Sequence, residues 1–469
     1  MTHKRSFLTV ENSLYLALFV LALALRLYQL NAHPLTDAEA REALPIYRLI
    51  RGQAGTLLPH SPAYFFFTYF AFLILGASDA TARVAPALFG AGLVFVPALF
   101  GDRLGRAGAL LTSGLLAVSA SLLAASRSAE GSVIALFGLS FGLGALRQFL
   151  RTSATPWLIA SAIALGVGLA SGAAFLTGAF VFALTALVVT WINPADRDLL
   201  REAWARPQTT TFFVTFGLTV ILVATVGLLY LRGLGALVDS WAAWLGGFVP
   251  TASGRLTAAG SRAPLALPFF LIVYEPLVVV FGLIGAARAV RASTTDRLAQ
   301  SLSWLSLMAL VFLLLYSGRT MPDVIWLTLP LTALAAWALV ELVRNTWASE
   351  EWAMAAAQLG VVGALLGFAA LNVAAFAEQA RINPQVQQGQ TNTVNWFSPV
   401  SPYTSLTMAG VALVLTVVIS YLFSMGWSPR SARLGLTLGV AGALLLVGLG
   451  ASWGVTQLRA NNPAELWWA

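Results

Sequence analysis

Three observations predict an all-α polytopic membrane protein. Of 469 residues, 58% are hydrophobic and only 10% charged. The mean hydropathy is +0.80, and apolar runs of membrane-spanning length recur from one end of the chain to the other. A soluble domain of this size does not carry that composition. The runs also lack the alternating polar and apolar pattern of a membrane barrel. Inside a bilayer each backbone N–H and C=O must pair within its own segment, which leaves helices.

The runs lie near 14–30, 63–77, 84–101, 108–125, 132–150, 156–171, 173–192, 210–231, 267–287, 300–316, 323–343, 352–376, 404–425 and 432–453. Lys4 and Arg5 before Leu14 to Leu25, with an A-x-A at Ala22 to Ala24, imitate a secretory signal. The run continues through Arg26 to Leu30, long enough to span, so the reading is a retained first helix with the N-terminus in the cytoplasm. The run 63–77 is short and front-loaded with Tyr64, Phe65, Phe66, Phe67, Tyr69 and Phe70. That suits a helix lying at headgroup level. About thirteen transmembrane helices remain. The loop 233–250, with Trp241, Trp244 and Phe248 at three- to four-residue spacing, reads as a second flat amphipathic helix.

Arginine placement sets the expected topology. With 63–77 lying flat, the loops carrying Arg103/Arg106, Arg147/Arg151, Arg197/Arg201/Arg206, Arg288/Arg291/Arg297 and Arg430/Arg433 all fall on one side, which the positive-inside rule makes cytoplasmic. The long basic-poor loops 232–266 and 377–403 and the tail from 454 fall on the other. The expected organisation is a transmembrane core over 1–345 with an external loop at 31–82, then C-terminal helices over 346–469 with a polar external loop at 377–403. The inner (plasma) membrane is the expected location. Of the 27 basic residues 26 are arginine, spread over many loops, which argues for topology and headgroup contact rather than nucleic acid. Cysteine is absent, and with it disulfides, thiolate metal sites and thiol catalysis.

The external loop concentrates charge in Leu35-Thr36-Asp37-Ala38-Glu39-Ala40-Arg41-Glu42. Thr36 and Glu39 have capping-box spacing, which gives Glu39 a structural reading. Asp37, one residue into that helix, is then the better catalytic candidate, with the plain alternative that both acids merely favour a helix N-terminus. His33 and His60 bracket the segment without metal-ligand spacing. Glu275 sits inside an apolar run before Pro276, where an ionisable group is either functional or a hydrogen-bonded packing residue. Tyr64 and Tyr274 read as interfacial or packing aromatics. Gly166, Gly168, Gly172 and Gly178 read as points of close helix approach.

Several segments in succession resemble the GT-C membrane glycosyltransferases: Leu25-Arg26-Leu27 through Ala40, His60 to Tyr64, Gly76 to Gly90, Ala125-Ser126-Arg127, Val273-Tyr274-Glu275 and Tyr316 to Pro322 leading to Leu329-Pro330. The likeness is to the dolichyl-phosphate-mannose-protein mannosyltransferase type, the lipid A aminoarabinose transferase and a flippase-associated family. It covers roughly residues 12 to 345. It implies a polyprenyl-phosphate-linked sugar donor, an acceptor of unspecified kind and a reaction at the extracytoplasmic membrane face. By position it makes Asp37 the general base or part of a site for a divalent metal ion, with Glu39 as a second oxygen ligand. Arg83, Arg127 and Arg319 become candidates for the donor phosphate, or else headgroup contacts. Glu130, Glu275, His60 and Tyr64 complete the candidate substrate-binding set.

The chain departs from the family pattern in three ways, one being that the basic residue often found near Ser171 to Thr177 is missing. Its acidic pair is split as Asp37-Ala38-Glu39, and residues two apart on a helix point to nearly opposite sides. The second external loop has Ser132, with Glu130 nearby, where relatives carry Asp. Two alternatives to the enzyme therefore stand: a GT-C-like subunit without catalysis, and a lipid-carrier flippase or transport partner.

Overall fold

The computed structural model describes residues 9–53, 60–192, 208–249, 265–291, 297–344, 352–382, 402–426 and 429–457. Lys4 and Arg5, Arg197/Arg201/Arg206, the polar residues expected in an external loop at 383–395 and the tail beyond 457 lie outside them. The chain divides into two compact units, one of residues 1–338 with 451–469 and one of residues 339–450.

The first unit begins with α1 (Val10–Leu27), α2 (Asp37–Ile50), α3 (Pro62–Leu75) and α4 (Asp79–Gly92). Side-chain hydroxyls start each of them: Thr9, Thr36, Ser61 and Ser78 accept from a backbone N–H of the first turn. At α2 the capping box is complete, as its spacing predicts. The chain passes from α4 through two 3-10 turns, Leu93–Phe95 and Pro97–Phe100, into α5 (Gly101–Val118). Gly105, at φ +73°, lets it fold back there. The Ser113 hydroxyl donates to the Val94 carbonyl at 2.7 Å, and Gly90 lies against Ser126, so α5 and the short α6 (Ala120–Ser126) return along α4.

Arg26 is fully buried where these helices meet. The break at Ser119 leaves the last carbonyls of α5 without helical partners, and the Arg26 guanidinium donates to Leu116 O and Ala117 O, to Ala22 O and to the Ser126 hydroxyl. A charge deep between membrane helices is held this way by backbone dipoles.

The unit continues with α7 (Ser132–Thr152), α8 (Thr155–Leu169), α9 (Ala173–Ile192), α10 (Thr209–Ala224) and α11 (Gly233–Gly246). Gly138 on α7 meets the α8 backbone at Ala164 O and Gly168, so any side chain there would collide. Next come α12 (Ala266–Tyr274), α13 (Pro276–Arg291), α14 (Arg297–Leu315) and α15 (Ile325–Arg344). The aromatic-rich α3 packs Tyr64, Phe65 and Phe72 into a core with Ile46 of α2 and Ile134 of α7.

In the second unit α16 (Trp352–Ile382) packs along α17 (Pro402–Gly426) through Ala369, Ala409 and Ala412. The N-terminal part of α18 (Pro429–Gln457) brings Gly435 against Ala355 O and Gln358, and Gly439 against Val362.

Among the described residues nine helical stretches are long and apolar enough to cross a membrane, or ten if one bent pair counts as a span. That pair corrects the uninterrupted span expected over 267–287. Between α12 and α13 the axis turns by 107° at Glu275. The cause is local: Pro276 brings no N–H and disfavours the helical conformation at the residue before it, and Glu275 sits at φ −128°, ψ 46°.

Glu275 is buried, and its carboxylate accepts from the Ser119 hydroxyl, from Ser121 N at 3.0 Å and from Ser121 Oγ at 2.9 Å. It thereby satisfies the free donors at the start of α6, and Ser121 extends the cluster to Thr328 of α15 at 3.1 Å. Glu275→Ala leaves these donors unpaired in an apolar interior, so a loss of about 3 kcal/mol is expected. Glu275→Gln, which keeps an acceptor, is expected to cost less. Thermal unfolding in detergent checks the order; equal stability of wild type and Glu275→Ala would contradict it.

Candidate functional site

A polar cavity of about 310 Å³ opens at the end of the first unit where α1 and α14 finish and α4 and α7 begin. The first turns of α2 present one face to it, as 3.6-residue periodicity requires: Ala38, Arg41 and Glu42 line it. Asp37 starts the same helix about 100° away. It is exposed and is not among the lining residues. Glu39, on the inner side of the helix, does not line the cavity either.

Three carboxyl groups border the cavity. Glu42 accepts from Ser61 N at 3.3 Å and from His60 Nδ1 at 3.2 Å. The Glu42 bond is the main cause that raises the His60 imidazole above its ordinary value; burial opposes it. Asp323 lies in the turn before α15 and accepts from Thr320 N at 2.7 Å and Thr320 Oγ1 at 2.9 Å. Glu130 accepts from the Ser132 hydroxyl at 2.8 Å. Burial pushes its carboxyl up to about 8, the Ser132 bond pulls against that, and the nearby Glu39, Asp323 and Glu42 carboxylates add to the rise.

The opposite wall is aromatic and hydroxylic. Trp244 of α11 donates its indole N–H to Thr177 Oγ1 at 3.1 Å, and the Tyr316 hydroxyl donates to Trp244 O at 2.9 Å. Gly131 is needed for closeness, since a Cβ there would lie 2.1 Å from Ser61 Oγ and 2.9 Å from Ser171 O.

The arginines expected at a phosphate are used otherwise. Arg83 is buried and grips Glu39 through two bonds of 2.8 Å, while its other N–H groups reach Leu30 O, His33 O and Pro34 O. Arg127 donates to Leu25 O, Arg26 O, Tyr28 O and Gln29 O beyond the end of α1, and to Thr456 O. Arg319 donates to Leu313 O, Leu314 O and Tyr316 O at the end of α14. Arg127 and Arg319 satisfy carbonyls at helix ends, and Arg83 satisfies those of the loop between α1 and α2. Of the lining side chains, Arg41 and His60 carry the cationic groups.

Glu39 also accepts from Thr36 N, Thr36 Oγ1 and Ala129 N. Burial alone would push its carboxyl up, but Arg83 and the two backbone bonds together hold it below the ordinary range. Tyr64 is fully buried and donates to Ala82 O at 2.9 Å, away from the lining. Glu275 caps α6 and does not line the cavity either. Among the described residues, no three His, Asp or Glu side chains converge as a metal site.

The cavity thus gathers Glu130 and His60 from the expected set, together with Ser132, which stands where relatives carry Asp, and adds Arg41, Glu42 and Asp323, which the sequence did not single out. Two signals for these were present. Thr320-Met321-Pro322-Asp323 has capping-box spacing, and Arg41 and Glu42 stand three and four residues after Ala38.

No protein-family model and no curated protein matches the sequence. Solved structures do match in shape. The Cupriavidus metallidurans aminoarabinose transferase ArnT bound to undecaprenyl phosphate superposes with a TM-score of 0.50 and 16% identity, over 95% of this chain and 77% of that one. The same enzyme in the apo state gives 0.52 and 14%, over 95% and 76%. The Archaeoglobus fulgidus oligosaccharyltransferase AglB, in complex with an inhibitory peptide and a dolichol-phosphate, gives 0.52 and 12%, covering 89% of this chain. The chain spans 56% of AglB, a little over half its length. Identities this low carry the fold and not the chemistry. What the chain shares with both enzymes is architecture: it has the fold of the GT-C membrane glycosyltransferases.

Proposed function

We propose that the protein is an integral-membrane glycosyltransferase that moves a sugar from a polyprenyl-phosphate donor to an acceptor at the extracytoplasmic membrane face. The observation that carries this reading is the position of Glu130. A carboxyl held near 8 borders a sugar-sized polar cavity at one end of a GT-C fold. In the proposed reaction Glu130 takes the proton of the acceptor hydroxyl, the acceptor oxygen bonds to the anomeric carbon, and the bond from that carbon to the phosphate oxygen breaks. The polyprenyl phosphate leaves with the electron pair, and Arg41 faces the charge that develops. Trp244 offers an aromatic surface to the sugar. Asp37 was the sequence's candidate for the base; its exposure outside the lining is why the proposal gives the proton to Glu130.

The proposed topology has about thirteen crossings. To the nine helical stretches it adds the bent pair, the return of α5 and α6 along α4, and the shorter apolar helices α8 and α10, with α3 lying flat. The arginine-bearing ends of α7, α13 and α14 then face the cytoplasm and the cavity faces outward.

A second reading is supported by two observations. Ala38 holds the cavity-facing place in the first turn of α2 where a carboxylate would serve, and Arg83, Arg127 and Arg319 serve backbone carbonyls. In that reading the protein is a GT-C-like subunit that binds the lipid carrier without transfer.

Purified protein incubated with a panel of polyprenyl-phosphate sugars, together with a membrane extract that supplies acceptors, separates the two. The enzyme predicts both binding and release of polyprenyl phosphate, with release lost in Glu130→Gln and retained in Asp37→Asn. Binding without release in wild type supports the subunit reading. Absence of binding to every donor rejects both.

A further inference from the structure

A second cavity, of about 280 Å³, lies at the other end of the first unit, among α5, α7, α9, α14 and α15. Phe100, Leu104, Leu143, Phe182, Leu298 and Leu302 are among its apolar wall residues. Four hydroxyl groups also border it, and all four turn back onto their own helices. Thr112 donates to Gly108 O, Ser140 to Leu136 O, Thr185 to Val181 O and Ser301 to Arg297 O. Nothing polar is left to face a ligand, so the interior suits a hydrocarbon chain.

The mouth has the opposite character. Phe100, which lines the crevice, lies beneath the Arg147 guanidinium at 5.6 Å. Arg151, half exposed, reaches Asp102 at 3.4 Å, while Arg147 holds the same carboxylate through bonds of 2.7 and 2.6 Å. Arg147 and Arg151 thus both stand on the one Asp102 carboxylate, a net charge of +1 beside an apolar crevice. A phospholipid with a neutral headgroup gains nothing from that rim, whereas an anionic headgroup does.

We infer that this crevice is a binding site for one anionic phospholipid, an acyl chain lying between α9 and α14 and the phosphate meeting the arginines at the mouth. The site is separate from the carboxyl-lined cavity and does not depend on the reaction proposed there. Its occupant is a bilayer lipid resident at the arginine-bearing face, where the excess of arginine also points for topology.

Native mass spectrometry of the full chain in detergent, titrated with dioleoyl phosphatidylglycerol or dioleoyl phosphatidylcholine, tests it. One phosphatidylglycerol is expected to be retained about tenfold more tightly than phosphatidylcholine. Ala186→Phe, which fills the crevice from an exposed position on α9, is expected to remove that preference. Arg151→Gln is expected to weaken it about fivefold, and being an exposed change it carries the test should Ala186→Phe not fold. Equal retention of the two lipids, or a preference unchanged in the folded variants, overturns the proposal. Displacement of the bound phosphatidylglycerol by equimolar undecaprenyl phosphate also overturns it, by making the occupant a prenyl carrier.

Discussion

Glu39→Ala is expected to give the largest loss of stability of any single change near the site, roughly 3–5 kcal/mol. The Glu39 and Arg83 side chains are 5% and 4% exposed and joined at 2.8 Å, so removing the carboxylate strands a buried guanidinium. It also deprives Thr36 N and Ala129 N of their acceptor, which frees the start of α2 from the segment leading to α7. Arg83→Ala should do nearly as much harm from the other side, because Leu30 O, His33 O and Pro34 O lose their donor. The pH dependence has a definite sign. The folded Glu39 carboxyl lies below its ordinary value, so its contribution is present above that value and is lost as pH falls through the lower, folded one. Thermal unfolding of both variants in detergent checks this. Stability within about 1 kcal/mol of wild type would mean that the pair is not what ties the start of α2 to the segment leading to α7.

Glu130→Gln is expected to give the largest loss of activity, about 10²–10⁴-fold in turnover, since it removes the proton acceptor and keeps the shape. The wild-type rate should rise with pH, because only the carboxylate accepts a proton and the group ionises near 8. In Glu130→Gln that rise should vanish. Stability moves the other way. The folded carboxyl is raised above its ordinary 4.5, so the fold favours the protonated form below that value and loses this contribution as pH climbs toward 8. Opposite slopes of rate and stability over the same range would be difficult to obtain from a group that is only structural. A wild-type rate that falls between pH 6 and 8 would remove Glu130 from the role.

Much of the fold was legible because helices in lipid obey few rules. Apolar run lengths marked the helices, Thr36 with Glu39 marked the start of α2, and Gly138 meeting α8 is the kind of close approach that small residues signal. The site was less legible, and the reason is angular. Successive helical residues are 100° apart, so whether Asp37, Ala38 or Glu39 faces a cavity depends on how α2 is rolled against Arg83, a contact 44 residues away. Arginines were ambiguous for a related reason. A phosphate and a row of helix-end carbonyls demand the same donors, and only the fold reveals that Arg127 meets the backbone beyond the end of α1. At Glu275 the proline after it was a signal for the break that the expected uninterrupted span did not use, and its partners Ser119 and Ser121 stand more than 150 residues away in sequence.

In the proposed donor complex the sugar sits in the cavity between α2, the start of α7 and the turn before α15. Photolabelling tests it most directly, with a polyprenyl-phosphate sugar carrying the reactive group on the sugar and the labelled peptides mapped by mass spectrometry. Labels within 38–42, 130–132 and 316–323 that unlabelled donor competes away are the expected result. Competed labels that fall wholly outside these segments would contradict the account.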